Sequence, residues 1–147
     1  MPDSAASRRA ALVTGAARRI GAVIARRLHA AGFDVALHAR RSRAALDALV
    51  EDLERARASS TLALEADLGD VAVLADLVNA CVERFGRLDA LVNNAAAFYP
   101  TPIGSATPAQ WDELLGTNAR APFFLAQAAA PHLAAASGAI VNIVDIY

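Results

Sequence analysis

Short apolar runs alternate along this chain with longer stretches in which apolar residues recur every three or four positions. Residues 10–14 are a short run of mostly apolar residues that stops at Gly15, which predicts a buried strand. Residues 18–31 carry Ile20, Val23, Ile24 and Leu28 at helical spacing and stop at Gly32, which predicts a helix. A strand over 33–39 follows, then a helix over 44–58 with Leu46, Leu49, Val50 and Leu53 on one face, then a strand over 61–66. Asp70 is placed to cap a helix that runs through Phe85 and ends at Gly86. A fourth strand is expected over 88–93, with Asn93 and Asn94 opening a loop. Thr107 before Pro108 has the form of an N-cap with proline in the first turn, and a helical region in two pieces follows through Ala135. Residues 138–144 predict a fifth strand.

Strands alternating with helices along the whole chain imply an α/β fold with a parallel sheet covered on both faces. Right-handed crossovers give the doubly wound strand order 3-2-1-4-5 of a Rossmann fold; a flavodoxin-like sheet is the alternative, which the motifs below oppose. One domain is expected over 10–147, after a disordered tail over 1–9.

Composition narrows the function classes. Among 147 residues 56% are hydrophobic and 20% charged, too apolar for a disordered chain. No apolar run reaches the roughly 18 residues that cross a bilayer, and the first nine residues lack a signal peptide's apolar segment. A cytoplasmic protein with no membrane partner is expected. The net charge of −1 gives no general attraction to nucleic acid. A single cysteine, Cys81, excludes an internal disulfide and sits in a helical pattern as a small apolar residue. His29, His38 and His132 are scattered, so no metal site is expected.

The chemistry begins at the first strand-to-helix turn, Thr14-Gly15-Ala16-Ala17-Arg18-Arg19-Ile20-Gly21. Such a turn presents free backbone N–H groups and a helix N-terminus to a dinucleotide pyrophosphate. Gly15 permits the tight turn, Gly21 lets helix and strand approach, and Arg18, Arg19 and Ile20 belong to the same cofactor-binding stretch. The tip of the second strand meets the adenine ribose. There the sequence is His38-Ala39-Arg40-Arg41-Ser42-Arg43, with no acid to accept from an NAD ribose. Guanidinium forks and a serine hydroxyl suit a 2′-phosphate, so the expected cofactor is NADPH/NADP, with His38, Arg40, Arg41 and Ser42 on that side. A solvated basic loop is the other reading.

These motifs resemble the short-chain dehydrogenase/reductase family. The turn matches Thr-Gly-x-x-x-Gly-x-Gly, except that Arg19 stands at the middle glycine, a replacement characteristic of the pteridine reductase branch. Asp67 and Leu68 resemble the family's adenine contact, although Asp67 also suits a turn. Asn93-Asn94-Ala95 matches Asn-Asn-Ala-Gly with Ala96 at the glycine, and the resemblance implies that Asn94, Ala95 and Ala96 border the cofactor. The stretch Ala95-Ala96-Ala97-Phe98-Tyr99-Pro100-Thr101-Pro102 is similar to Asn-Ala-Ser-Ser-Phe-Tyr-Pro-Thr-Pro of pteridine reductases. That likeness implies Phe98 stacked on a pterin, with Arg19 and Asp145 beside it. Asn118 matches the family's helix asparagine, which helps hold a water in the proton relay. Asp145 stands where most members carry a catalytic serine; the resemblance makes Asp145 and Asn118 the catalytic candidates.

The family's Tyr-x-x-x-Lys pair does not occur in these residues, and Tyr147 has no lysine four positions on. The chain is therefore expected to be the N-terminal portion of a longer protein, inactive alone, whose mass would settle the matter. The resemblance further implies a homotetramer acting on a pterin-like small molecule. The alternatives are a general carbonyl reductase and a non-catalytic NADPH-binding module.

Overall fold

The structure is a computed structural model that describes residues 8–145. One parallel sheet holds five strands, β1 (Ala10–Val13), β2 (Asp34–Ala39), β3 (Thr61–Glu65), β4 (Ala90–Asn93) and β5 (Ala139–Asn142), in the order β3-β2-β1-β4-β5. The expected doubly wound order is the one observed. The helices are α1 (Arg19–Ala30), α2 (Arg43–Ala56), α3 (Leu74–Phe85), α4 (Pro108–Leu115) and α5 (Ala121–Ala136). Of the expected tail, residues 1–7 lie outside the described residues. Arg8 pairs with Asp34 at 2.8 Å, and the Arg9 guanidinium sits 4.2 Å from the centre of the Phe33 ring.

The central strands β1 and β2 are covered on both faces because they are apolar on both, whereas β5 is exposed along its length. Along β1, Ala11 and Val13 pack with Leu46, Leu49 and Leu53 of α2, while Leu12 packs with Leu77 and Val78 of α3 and Leu125 of α5. Cys81 is buried in the second layer, and burial pushes its thiol up to about 12, so it behaves as an apolar residue.

Two expectations shift locally. Asp70 caps as expected, accepting from Ala72 N at 2.9 Å, but the turn it opens is a 3-10 turn, Val71–Val73, before α3 begins at Leu74. The helical region in two pieces proves to be α4 and α5 joined by a π-turn, Gly116–Arg120. Its start is secured by a capping box between Thr107 and Gln110, with Pro108 in the first turn.

Asp89 aligns the N-terminal ends of three strands. Its carboxylate accepts from Ala10 N at 2.8 Å and from Arg87 Nε at 2.8 Å, and its carbonyl accepts from Ala139 N at 2.9 Å. Burial pushes the carboxyl pKa up, but the Arg87 hydrogen bond and the Ala10 N–H outweigh it and hold the group below the usual carboxylate range. Replacing Asp89 with Ala leaves the Ala10 N–H and the Arg87 guanidinium without their acceptor. An Asp89→Ala variant is expected to lose about 2–3 kcal/mol of unfolding free energy, read from urea denaturation; unchanged stability would remove Asp89 as the strand-aligning group.

Candidate active site

The strand order reverses between β1's two neighbours, β2 and β4, so the loops leaving β1 and β4 diverge at the C-terminal edge of the sheet. A cleft of about 570 Å³ opens there. Its floor is the turn after β1. Gly15 has φ +63°, and a Cβ on it would lie 2.9 Å from Ala95 Cα; a Cβ on Gly21 would lie 2.1 Å from the Gly15 carbonyl oxygen. The helix start is therefore pressed against the turn more closely than any side chain permits.

The turn is tied to the loop after β4. Thr14 Oγ1 accepts from Asn94 N and Ala95 N, each at 3.0 Å, and Asn94 Nδ2 donates to Thr14 O at 3.0 Å and to Gly15 O at 3.1 Å. Sequence reasoning placed Thr14 at the end of the first strand and at the head of the glycine turn but gave its hydroxyl no role. A hydroxyl directly before the glycine of the turn was the available signal.

Arg18 and Arg19 stand exposed at the start of α1, where no acidic residue occupies the first turn and no side chain caps the helix. Arg19 has φ +52°, a left-handed conformation that costs a non-glycine residue about 1–2 kcal/mol. Two cations at the positive end of a helix dipole are poorly placed for stability and well placed to receive an anion.

At the tip of β2 the buried His38 ring braces the turn. Its Nδ1 accepts from Gly15 N at 3.3 Å, so Nε2 carries the proton and donates to Ala66 O at 3.0 Å. His38 O also accepts from Ala16 N at 2.8 Å. Burial pushes its pKa down, against smaller opposing effects of Ala66 O and Asp67. Arg40, Asp67 and Leu68 line the same cleft, and Arg40 pairs with Asp67 at 2.9 Å. Arg41 and Ser42 stand beyond the cleft lining; Ser42 occupies the N-cap of α2, yet its hydroxyl makes no capping bond.

A second cavity of about 480 Å³ adjoins the first, and residues 95–97 and 143–145 line both. Exposed Phe98, Asn118 and Asp145 line this second space, whereas Arg19 lines the first. Asn118 sits in the π-turn, the kind of helix irregularity that recurs at functional sites. Its amide is committed to the segment after β4: Oδ1 accepts from Ala97 N at 2.9 Å and Nδ2 donates to Ala97 O at 2.7 Å. Asn93 and Asn142 also line the cavity and pair across the strands, Asn93 Nδ2 donating to Asn142 Oδ1 at 2.8 Å. Their pairing was not legible in sequence, because it depends on the register of β4 against β5. Among the described residues no group of three or more potential metal ligands converges, and no helix is long and apolar enough to cross a membrane.

Comparison with known proteins places this site in a wide company. Residues 9–146 match the family described as short chain dehydrogenase. Pteridine reductase 1 of Leishmania tarentolae is 38% identical, with 92% of this chain aligned to 60% of that protein. A 3-oxoacyl-(acyl-carrier-protein) reductase of Staphylococcus aureus is 34% identical over 94% of this chain and 56% of its own length. Versicolorin reductase of Emericella nidulans is 36% identical over 84% and 46% respectively. The chain thus spans about half the length of the curated relatives it matches.

Two consequences of the turn's geometry are measurable. Gly21→Ala puts a methyl group into the Gly15 carbonyl and is expected to lower the melting temperature; an unchanged melting temperature would show that α1 can move off the turn. His38 is neutral in the fold, with its pKa below that of the unfolded chain. Its contribution to stability is complete above the ordinary histidine pKa of about 6.5 and falls as pH drops below it. Buried His29, pushed down by burial and by Arg57, acts in the same direction. Melting temperature is therefore expected to fall on acidification below that pH, and the fall to be shallower in His38→Asn; an unchanged slope would show that His38 is not held neutral.

Proposed function

This chain belongs to the short chain dehydrogenase family, and on that premise we propose that the protein is an NADPH-dependent reductase of a pterin-like substrate. The observation that carries the reading is that Phe98 and Asp145, far apart in sequence, line one cavity that shares a wall with the cleft beneath the glycine turn. An aromatic face for a flat ring and a carboxylate for a ring nitrogen thus meet beside a dinucleotide-sized space.

The residues present fit NADPH. The turn is a cradle that a Cβ at Gly15 or Gly21 would fill, and the α1 N-terminus with Arg18 and Arg19 offers N–H groups and cations to a pyrophosphate. The β2 tip holds no carboxylate for a ribose hydroxyl. Arg40 and Arg41, with the uncommitted Ser42 hydroxyl at the N-terminus of α2, would hold a 2′-phosphate. Asp67, Leu68 and residues 94–96 would border the adenosine side.

NADPH, when bound, supplies a hydride to a C=N bond of the substrate ring. Phe98 presents its exposed face for offset stacking on that ring. Asn118 fixes Ala97 through both amide atoms and so fixes where Phe98 begins. Asp145 takes part in delivering a proton to the ring nitrogen.

The test is turnover by the intact protein. Dihydrobiopterin is expected to drive NADPH oxidation faster than a panel of ketones and faster than with NADH. Asp145→Asn is expected to lower kcat by about 10²–10⁴-fold with little change in KM. Turnover of ketones alone would overturn the pterin reading and favour a carbonyl reductase; NADPH binding with no turnover of either would leave a binding module.

A further inference from the structure

A chain of side chains crosses from the β2 tip to the segment after β4. Glu113, on α4, divides its carboxylate between two partners: Oε1 lies 3.8 Å from an Arg40 guanidinium nitrogen, and Oε2 accepts from the Tyr99 hydroxyl at 2.8 Å. Arg40 holds Asp67 at 2.9 Å through its other terminal nitrogen. One cation therefore faces two carboxylates carried by two different parts of the fold, and the trio is net negative at the place where a phosphate is to bind. Tyr99 directly follows Phe98, so the chain of contacts joins the adenosine end of the cleft to the substrate cavity. Partial burial and the Glu113 carboxylate both raise the Tyr99 hydroxyl pKa, which keeps it a donor.

We propose that Glu113 competes with the cofactor's 2′-phosphate for Arg40 and so limits the preference for NADPH over NADH, with Tyr99 as the residue that positions Glu113. The proposal rests on the reading of Arg40 as a 2′-phosphate contact. A phosphate monoester brings a charge of about −1.5 to −2 to the guanidinium. Glu113 cannot remain beside that charge without repulsion, so the arginine must exchange a carboxylate for the phosphate. NADH carries a hydroxyl in that place and requires no exchange. Removing the Glu113 charge therefore helps one cofactor and leaves the other unchanged. Arg40, Glu113 and Asp67 side chains are 39%, 45% and 50% exposed, so solvent screens the pairs and the effect is moderate and salt-dependent.

The experiment measures Kd for NADPH and for NADH, by cofactor fluorescence at low salt, in the intact protein and in E113Q, Y99F, R40A and the R40A/E113Q double variant. E113Q is expected to tighten NADPH about two- to fivefold and to leave NADH unchanged. Y99F, which frees Glu113 to leave Arg40, moves the ratio in the same direction by less. R40A removes the NADPH preference, and E113Q then adds nothing on that background. Raising salt shrinks the E113Q effect. E113A serves as a second variant, and circular dichroism verifies that each protein is folded. A change of equal size for both cofactors in E113Q, or weaker NADPH binding, overturns the proposal. An R40A effect without an E113Q effect rejects Glu113 alone. An unchanged preference in R40A rejects the phosphate reading of Arg40, and the Glu113 proposal with it.

Discussion

The contact on which the site depends is the approach of α1 to the turn after β1. A Cβ on Gly21 would lie 2.1 Å from the Gly15 carbonyl, and a Cβ on Gly15 would meet Ala95. Those two absences of a side chain let the helix start, the turn and the loop after β4 come together at one point. Thr14 and Asn94 then tie them with four hydrogen bonds, and His38 adds a brace from β2. The crevice is the space that remains above this knot.

Electrostatics gives that space its character. Arg18 and Arg19 lie at the positive end of α1 with no acid in its first turn, and Arg19 adopts a left-handed backbone conformation. A site arranged for its own stability would place carboxylates there. The β2 tip follows the same pattern, with a serine at the α2 N-cap whose hydroxyl makes no capping bond. Strain and misplaced charge gathered at one edge of a well-packed sheet mark where a ligand completes the interactions.

The two cavities share walls drawn from the segments after β4 and β5. Asn118 secures the first of these segments by holding Ala97 from the π-turn, and Arg120, in the same turn, donates to Gly69 O at 2.9 Å in the loop after β3. The two cavities are therefore not independent surfaces. They are two faces of one set of loops held by α4, the π-turn and α5.

The sequence by itself determined the alternation of strands and helices, the strand order, the glycine turn and the cationic β2 tip. These are legible because they follow from local patterns: period-two and helical spacing, glycine where φ is positive, and the absence of an acid after β2. Most element ends fell within two residues of their expected places because capping and glycine stops are also local; α3 starts later, at Leu74, because Asp70 opens a 3-10 turn first. The tertiary structure alone decided the rest. His38 braces the turn because parallel pairing sets its ring between Gly15 N and Ala66 O. Asn93 meets Asn142 because β4 and β5 pair in that register. Arg40 faces Glu113 because the long connection after β4 returns α4 to the β2 tip. Each of these contacts joins residues 20 or more positions apart, and no spacing along the chain encodes a distance that packing sets.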